Sequence, residues 1–429
     1  MRVAIINAVF PPEPVVSAQI GRDLAEELTL RGVATQVVCP FPTRSLGVNY
    51  SASLLESGIV NESAVDGYAI ARVPSFTAPA SNLIGRLRES WSFGRQSCAF
   101  LSRQSVQPDV IYANTWPLMA QHAIAAYALR RKIPLVLHIQ DVYPESWLNK
   151  IPRSAAMFWG AILRRLEKRI VHRATRLVVV SESMRRLYNR DRGLPLNRLY
   201  LCHNWQDEGP FSVLSDSRAA RQAYAVPEDR FTFLYLGNIG PVAGVEELIL
   251  AFGVAAVEGA QLVIVGDGSR KGACMELAAK MNLAEVRFVS DPEARNVARL
   301  QSMADVCLLP QRKGAGQSSI PSKLSAYLFS AKPIIGVLDR GSDTAACICA
   351  AGCGWVEEPG EVDELSKRMR QVIETPTQDL RQMGENGRMY GLEHFSRQLG
   401  ALRLTEIVMG AGLVYSAVNS TLQSVKISK

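Results

Sequence analysis

Leu234-Tyr-Leu-Gly-Asn-Ile-Gly-Pro-Val-Ala-Gly244 is the stretch on which the reading of this chain turns. An apolar run ends at Gly237 and Gly240, and an amphipathic pattern opens at once over 245–257. Glycine lets the backbone approach an anion closely, and the first N–H groups of a helix point at it. A second turn of the same kind, Leu262-Val-Ile-Val-Gly-Asp-Gly268, follows. Gly237, Asn238, Gly240, Gly266, Asp267 and Gly268 are therefore the candidate residues of a phosphate cradle.

Outward from this stretch the pattern repeats. Short apolar strands are expected at 2–9, 34–39, 68–73, 110–114, 135–140, 177–181 and 198–203. A second series is expected at 231–237, 261–266, 286–290, 306–309, 333–337 and 355–357. Helical-period segments separate them, among them 18–31, 83–105, 118–131, 158–173, 245–257, 270–281, 293–303 and 322–329. Continuous apolar strands alternating with helices mean parallel sheets covered on both faces, and two series mean two doubly wound α/β domains. A chain of 429 residues exceeds one ordinary core. The polar stretch 207–229 marks the boundary, and the segment beyond 378 reads as helical with a frayed tail from 419.

Composition narrows the function. No run of about 18 apolar residues is present, so a spanning helix is not expected. The apolar start, Met1–Phe10, reads as a first strand rather than a leader, because Pro11-Pro12-Glu13 follows it. The eight cysteines sit in apolar or small-residue settings, and Cys347, Cys349 and Cys353 lack a nearby histidine. They read as buried thiols in a reducing compartment rather than a metal site. Residues 1–200 hold 25 Lys/Arg against 14 Asp/Glu, whereas the remainder holds 23 against 26. A basic first half implies an anionic partner. Without aromatic–basic RNA-binding signatures, nucleic acid is disfavoured and an anionic membrane surface is favoured. Trp91, Phe93, Phe158 and Trp159 lie among Arg86, Arg88, Arg95, Arg164, Arg165, Lys168 and Arg169, the composition of helices that rest on such a surface.

Ligands of doubly wound sheets bind at the carboxyl ends of strands, so polar residues there carry the candidate chemistry. Three places stand out. Phe10-Pro-Pro-Glu-Pro-Val-Val-Ser17 is a long loop after the first strand, with Glu13 as a candidate acceptor ligand and Ser17 as a helix cap. In His138-Ile-Gln-Asp141, His138 and Gln140 share a face and Asp141 ends the strand, a costly cluster unless bonded or functional. In Gly314-Ala-Gly-Gln-Ser-Ser-Ile-Pro-Ser-Lys323, Ser318, Ser319 and Ser322 can bond phosphate oxygens, Ser319 or Ser322 can cap, and Pro321 suits the first helical turn. Lys323 opposes the helix dipole there unless an anion is bound. No D-x-D, GxxxxGK[ST], HExxH or C-x2-C pattern is found, so no metal or tightly held cofactor is expected.

These residues together resemble glycosyltransferase family 4 of the GT-B fold, over about residues 1–400, and most of all the bacterial enzymes of colanic acid, O-antigen and capsule assembly. Phe10–Glu13, His138–Asp141, Pro144-Glu-Ser146, Asn204-Trp205, Gly237–Gly240, Gly266–Gly268, Ala304-Asp305 through Pro310 and Pro321–Leu324 carry the resemblance. It implies two Rossmann-like domains facing a central cleft: an acceptor domain at 1–207, a nucleotide-sugar domain at 208–390, and a terminal helix at 391–429 packing back on the first. It implies a retaining transferase, using a UDP- or GDP-sugar co-substrate and no cofactor. The acceptor would be a polyprenyl-diphosphate-linked oligosaccharide or a polysaccharide, reached from the cytoplasmic face of the membrane. His138, Gln140 and Asp141 would then be the catalytic candidates, with Glu13 and Ser17 at the acceptor. The chain departs from the family pattern at three places. The usual E-x7-E positions hold Ser318 and Ala326, the usual basic pair after Gly237 falls at Asn238 and Val242-Ala243, and Val15-Val16 replaces a Gly-Gly turn. A sugar-nucleotide 2-epimerase and a noncatalytic partner-binding subunit are the alternatives.

Overall fold

The structure is a computed structural model that describes residues 1–13, 15–42, 60–63, 67–77, 83–148, 153–290, 296–314 and 320–427. It divides into two compact units. Met1–Asn204 with Gly400–Lys429 form the first, and Trp205–Leu399 form the second.

The first unit is built on one sheet of eight strands: β1 (Arg2–Asn7), β2 (Ala34–Pro40), β3 (Val60–Ser63), β4 (Ala69–Val73), β5 (Val110–Asn114), β6 (Leu135–Ile139), β7 (Arg176–Val179) and β8 (Leu199–Leu201). Their order is β3-β4-β2-β1-β5-β6-β7-β8, so the winding reverses between β1 and β5. Seven strands are parallel, and β3 alone runs antiparallel, against β4. Val60-Asn-Glu-Ser63 has no apolar alternation, which is why the sequence gives no sign of it. One face packs Ile6, Ile111, Leu137 and Val179 against Phe93, Phe100, Ile124 and Ile170 of the covering helices. On the other face the helix Arg397–Ile427 meets the sheet. Arg176 Nη1 donates to the Ile407 carbonyl at 2.8 Å, and a Cβ at Gly412 would crowd the Val110 side chain. That helix continues to Ile427, past the point where the sequence suggests fraying.

The second unit holds β9 (Phe231–Leu236), β10 (Ala260–Val265), β11 (Val286–Val289), β12 (Val306–Pro310), β13 (Ile334–Val337) and β14 (Gly354–Glu357). All are parallel, in the order β11-β10-β9-β12-β13-β14. The reversal falls between β9 and β12. It brings two stretches to one crevice: the loop after Leu236, and the start of the helix Ser322–Phe329. Successive residues of β9 feed opposite cores, Leu234 toward Tyr327 and Phe329, Phe233 and Tyr235 toward Leu248 and Phe252. The helix expected at 293–303 is Val297–Ser302, its first expected residues lying outside those described.

None of the eight cysteines is in a disulfide, and among the described residues no group of His, Cys, Asp or Glu is placed to hold a metal ion. Among the described residues no helix is long and apolar enough to cross a membrane.

Candidate functional site

The crevice of the second unit is organised around one lysine. Lys323 stands in the first turn of Ser322–Phe329, and its side chain lies over the backbone of Gly237. A Cβ at position 237 would overlap Lys323 Cε, and φ there is +148°, so two independent constraints require glycine. Lys323 Nζ donates to Tyr235 Oη at 2.7 Å, over the same ring, and Tyr235 Oη donates to the Asn238 carbonyl at 2.7 Å. Tyr327 holds the neighbouring backbone, its hydroxyl accepting from Leu236 N at 2.9 Å. Among the described residues Lys323 makes no ion pair and no second hydrogen bond, which leaves two of its three N–H groups uncommitted there. Burial alone pulls its ammonium down to about 8.

The rest of the cradle is backbone. Gly237 N donates to Val265 O and Ile239 N to Asp267 O, zipping the two glycine turns together past the ends of β9 and β10. A Cβ at Gly266 would strike the Gly237 carbonyl, and one at Gly268 would strike the Ile239 carbonyl and the Asn238 side chain. Gly240 is buried, whereas Asn238 and Asp267 point to solvent. Asp267 Oδ1 accepts from Gly268 N at 2.7 Å. Thus Gly237, Asn238, Gly240, Gly266, Asp267, Gly268 and Lys323 lie in one neighbourhood. Ser322 is exposed but does not cap. Pro321 occupies the cap position, and the Ser322 carbonyl accepts from Ser325 Oγ. Ser318 and Ser319 lie outside the described residues.

Two features escape the sequence reading. Tyr235 and Tyr327 read there only as apolar strand and helix positions, and their hydroxyl roles appear only in three dimensions. Arg270 and Arg312 also converge, on Glu246 in the first turn of Val245–Ala255, at 2.7 and 3.9 Å. Arg270 follows the Gly266–Gly268 turn by two residues, a spacing that could have flagged it.

In the first unit His138 is 1% exposed, so the expectation that it faces a ligand is corrected. Its Nδ1 lies 2.7 Å from Tyr112 Oη and its Nε2 lies 3.1 Å from Gln140 Nε2. Burial pushes its pKa down to about 3, which keeps the ring neutral. Gln140 is half-buried and Asp141 is exposed, both at the carboxyl end of β6. Glu13 is buried rather than on the surface of its loop. Ser17 does not cap its helix, which starts at Val16 with Val15 in the cap position. Instead, Asn7 at the end of β1 binds the loop. Its Nδ2 donates to the carbonyls of Val9 at 2.5 Å and Ser17 at 3.1 Å, an approach that Gly21 leaves room for.

The strand-end motif Pro144–Ser146 is anchored by a buried ionic cluster. Arg192 reaches Glu167 at 2.5 Å and Glu145 at 2.8 Å, and Tyr188 Oη donates to Glu167 at 2.6 Å. Burial raises Glu167 to about 7, against the pull of Arg192. Burial also opposes ionisation of Glu145, but hydrogen bonds from Arg192 and Arg164 outweigh it and hold its pKa below the ordinary value.

Comparison with known proteins agrees with this architecture. Residues 20–208 match the family model described as Glycosyltransferase Family 4, and residues 216–390 match Glycosyl transferases group 1. The chain is 26% identical to the probable glycosyltransferase WbjE of Pseudomonas aeruginosa, over 64% of this chain and 68% of that one. It is 23% identical to the putative colanic acid biosynthesis glycosyl transferase WcaI of Escherichia coli, over 88% and 93%. Among solved structures it resembles HepE of Anabaena in complex with UDP, with a TM-score of 0.66 at 17% identity, covering 96% and 100%. The fold is GT-B.

Proposed function

From the premise that this chain joins a family 4 glycosyltransferase domain to a group 1 glycosyl transferase domain, we propose a retaining transferase that moves a hexosyl group from a UDP- or GDP-sugar to a saccharide of cell-surface polysaccharide assembly. The observation that carries this reading is Lys323 above Gly237. It is a half-buried ammonium with two donors uncommitted among the described residues, beside a helix N-terminus and a cradle with no room for side chains. A diphosphate suits that place, because it supplies the charge that the lysine and the helix dipole lack.

The leaving group is then a nucleoside diphosphate. Its developing charge is met by Lys323 and by the first-turn N–H groups of Ser322–Phe329. Such stabilisation asks for neither the E-x7-E carboxylates nor a bridging metal. The UDP seen in HepE supports a nucleoside diphosphate as the handle, and the name of WcaI supports a saccharide acceptor. The first unit is the acceptor side in this reading, with Gln140 and Asp141 at its strand end.

We further propose that the acceptor is lipid-linked and met at an anionic membrane face. On the helix Arg153–Arg173, Met157, Trp159 and Ile162 are 80%, 48% and 45% exposed, followed by exposed Arg165, Lys168 and Arg169. Phe93 is not part of such a face, since it is wholly buried in the core.

The test is a panel of UDP- and GDP-sugars, ranked first by thermal stabilisation and then by release of free nucleoside diphosphate with and without acceptor. Acceptor-dependent release is expected for one sugar. Conversion of the sugar nucleotide without acceptor would establish the epimerase instead. Binding without turnover would indicate a noncatalytic subunit.

A further inference from the structure

His138 is fully enclosed, and both of its ring nitrogens are spoken for. A neutral imidazole has one donor and one acceptor, so Tyr112 and Gln140 must play opposite parts. The two side chains are thereby coupled through a ring that water does not reach. Tyr112 packs edge-on to that ring, with centroids 5.9 Å apart and planes at 68°, which fixes its orientation. The Gln140 amide nitrogen faces Nε2, so Nε2 accepts and the proton sits on Nδ1, donated to Tyr112 Oη. Tyr112 and Gln140 thus hold the ring from both sides.

We propose that Tyr112 and His138 are positioning residues that lock Gln140 with its amide oxygen outward, so that the carboxyl end of β6 offers a hydrogen-bond acceptor to a hydroxyl of the bound saccharide. This rests on the reading of the first unit as the acceptor side. It adds that the site reads a donor hydrogen through Gln140, and that His138 neither ionises nor touches the ligand. A locked amide loses less freedom on binding than a mobile one.

The relay is tested in the full-length protein without ligand by nitrogen-15 NMR of labelled histidine rings. The chain has five histidines, and His138→Gln identifies the signals of this one. The expected spectrum shows a single neutral Nδ1–H tautomer that does not titrate between about pH 5 and 8, the span in which an ordinary histidine changes charge. Gln140→Glu, whose carboxylate cannot donate to Nε2, is expected to switch the ring to the Nε2–H tautomer. An Nε2–H tautomer in the wild type, or titration in that range, would overturn the proposal. In turnover, Tyr112→Phe and Gln140→Leu are both expected to raise the acceptor KM about tenfold, with the donor KM unchanged. An unchanged acceptor KM in Gln140→Leu would also overturn it. Failure of the wild type to release nucleoside diphosphate with any acceptor would instead sink the acceptor reading, and the tautomer would still decide the relay.

Discussion

A single lysine carries most of the functional argument, and its position is uncomfortable. Lys323 is half-buried beside the positive end of a helix with no carboxylate partner among the described residues, and desolvation depresses its ammonium to about 8. Its folded pKa thus lies below its unfolded value. Between the two, the unfolded chain binds more protons, so stability of the ligand-free protein rises as pH climbs from about 8 toward 10.5. Lys323→Met keeps the apolar stem and removes the charge. It is expected to stabilise the free protein at pH 7 by on the order of 1–3 kcal/mol, measured by denaturant unfolding, while abolishing the pH slope. Nucleoside diphosphate affinity of the wild type should fall as pH rises through about 8, where the amine loses its proton; a flat affinity from pH 7 to 9 would contradict the role. Gly237→Ala should displace Lys323, whose Cε occupies the space a Cβ needs, and weaken binding with it. This much was legible from sequence, since Gly237 and the Pro-Ser-Lys run each carry a recognisable local geometry. Tyr235 was not, because a tyrosine inside an apolar strand looks the same whether or not its hydroxyl has a partner. His138 was misread for a related reason: strand alternation gives the face a residue shares, not how deep it lies.

At the scale of elements, the strand-end loops are held by buried charge rather than by their own propensity. Arg192, 4% exposed at its side chain, serves both Glu167 and Glu145 and so ties the loop after β6 to two helices. Removing one partner of a buried pair leaves an uncompensated charge. Arg192→Ala is therefore expected to cost about 3–5 kcal/mol and to open the 140–148 segment, read by hydrogen exchange; protection unchanged there would refute the anchoring role. Glu167 titrates at about 7, above its unfolded value of 4.5. Its contribution is complete at low pH and is lost as pH rises through that window, and Glu167→Gln should flatten the dependence. The strands themselves were nearly all legible, because buried parallel strands are continuous apolar runs. β3 was not, being a short polar edge. The cap at Val15 was missed because the side chain of Asn7, not a capping hydroxyl, secures that loop.

The whole molecule combines a basic first half with a slightly acidic second half, and the exposed Met157, Trp159 and Ile162 sit next to the basic run at 164–169. Each basic residue near an anionic surface contributes about 1 kcal/mol, and salt screens it over about 8–10 Å. Co-sedimentation with anionic vesicles is expected at low salt, reduced at high salt, with neutral lipid, and in Arg165→Glu/Lys168→Glu/Arg169→Glu. Equal recovery with anionic and neutral vesicles at low salt would favour an acceptor in solution. The two-sheet architecture was readable from the alternation of strands and helices. The sugar, by contrast, is chosen by side chains from separate loops, some outside the described residues, and no local pattern encodes it. The central claim is that the second unit holds a nucleoside diphosphate on Lys323. Calorimetric titration of UDP and GDP into the wild type and into Lys323→Ala tests it most directly. One nucleotide should bind the wild type with one-to-one stoichiometry and bind the variant about 10- to 150-fold more weakly, equivalent to about 1.5–3 kcal/mol for a charge-assisted hydrogen bond. Equal affinity in a folded variant, or no binding of either nucleotide to the wild type, would contradict it.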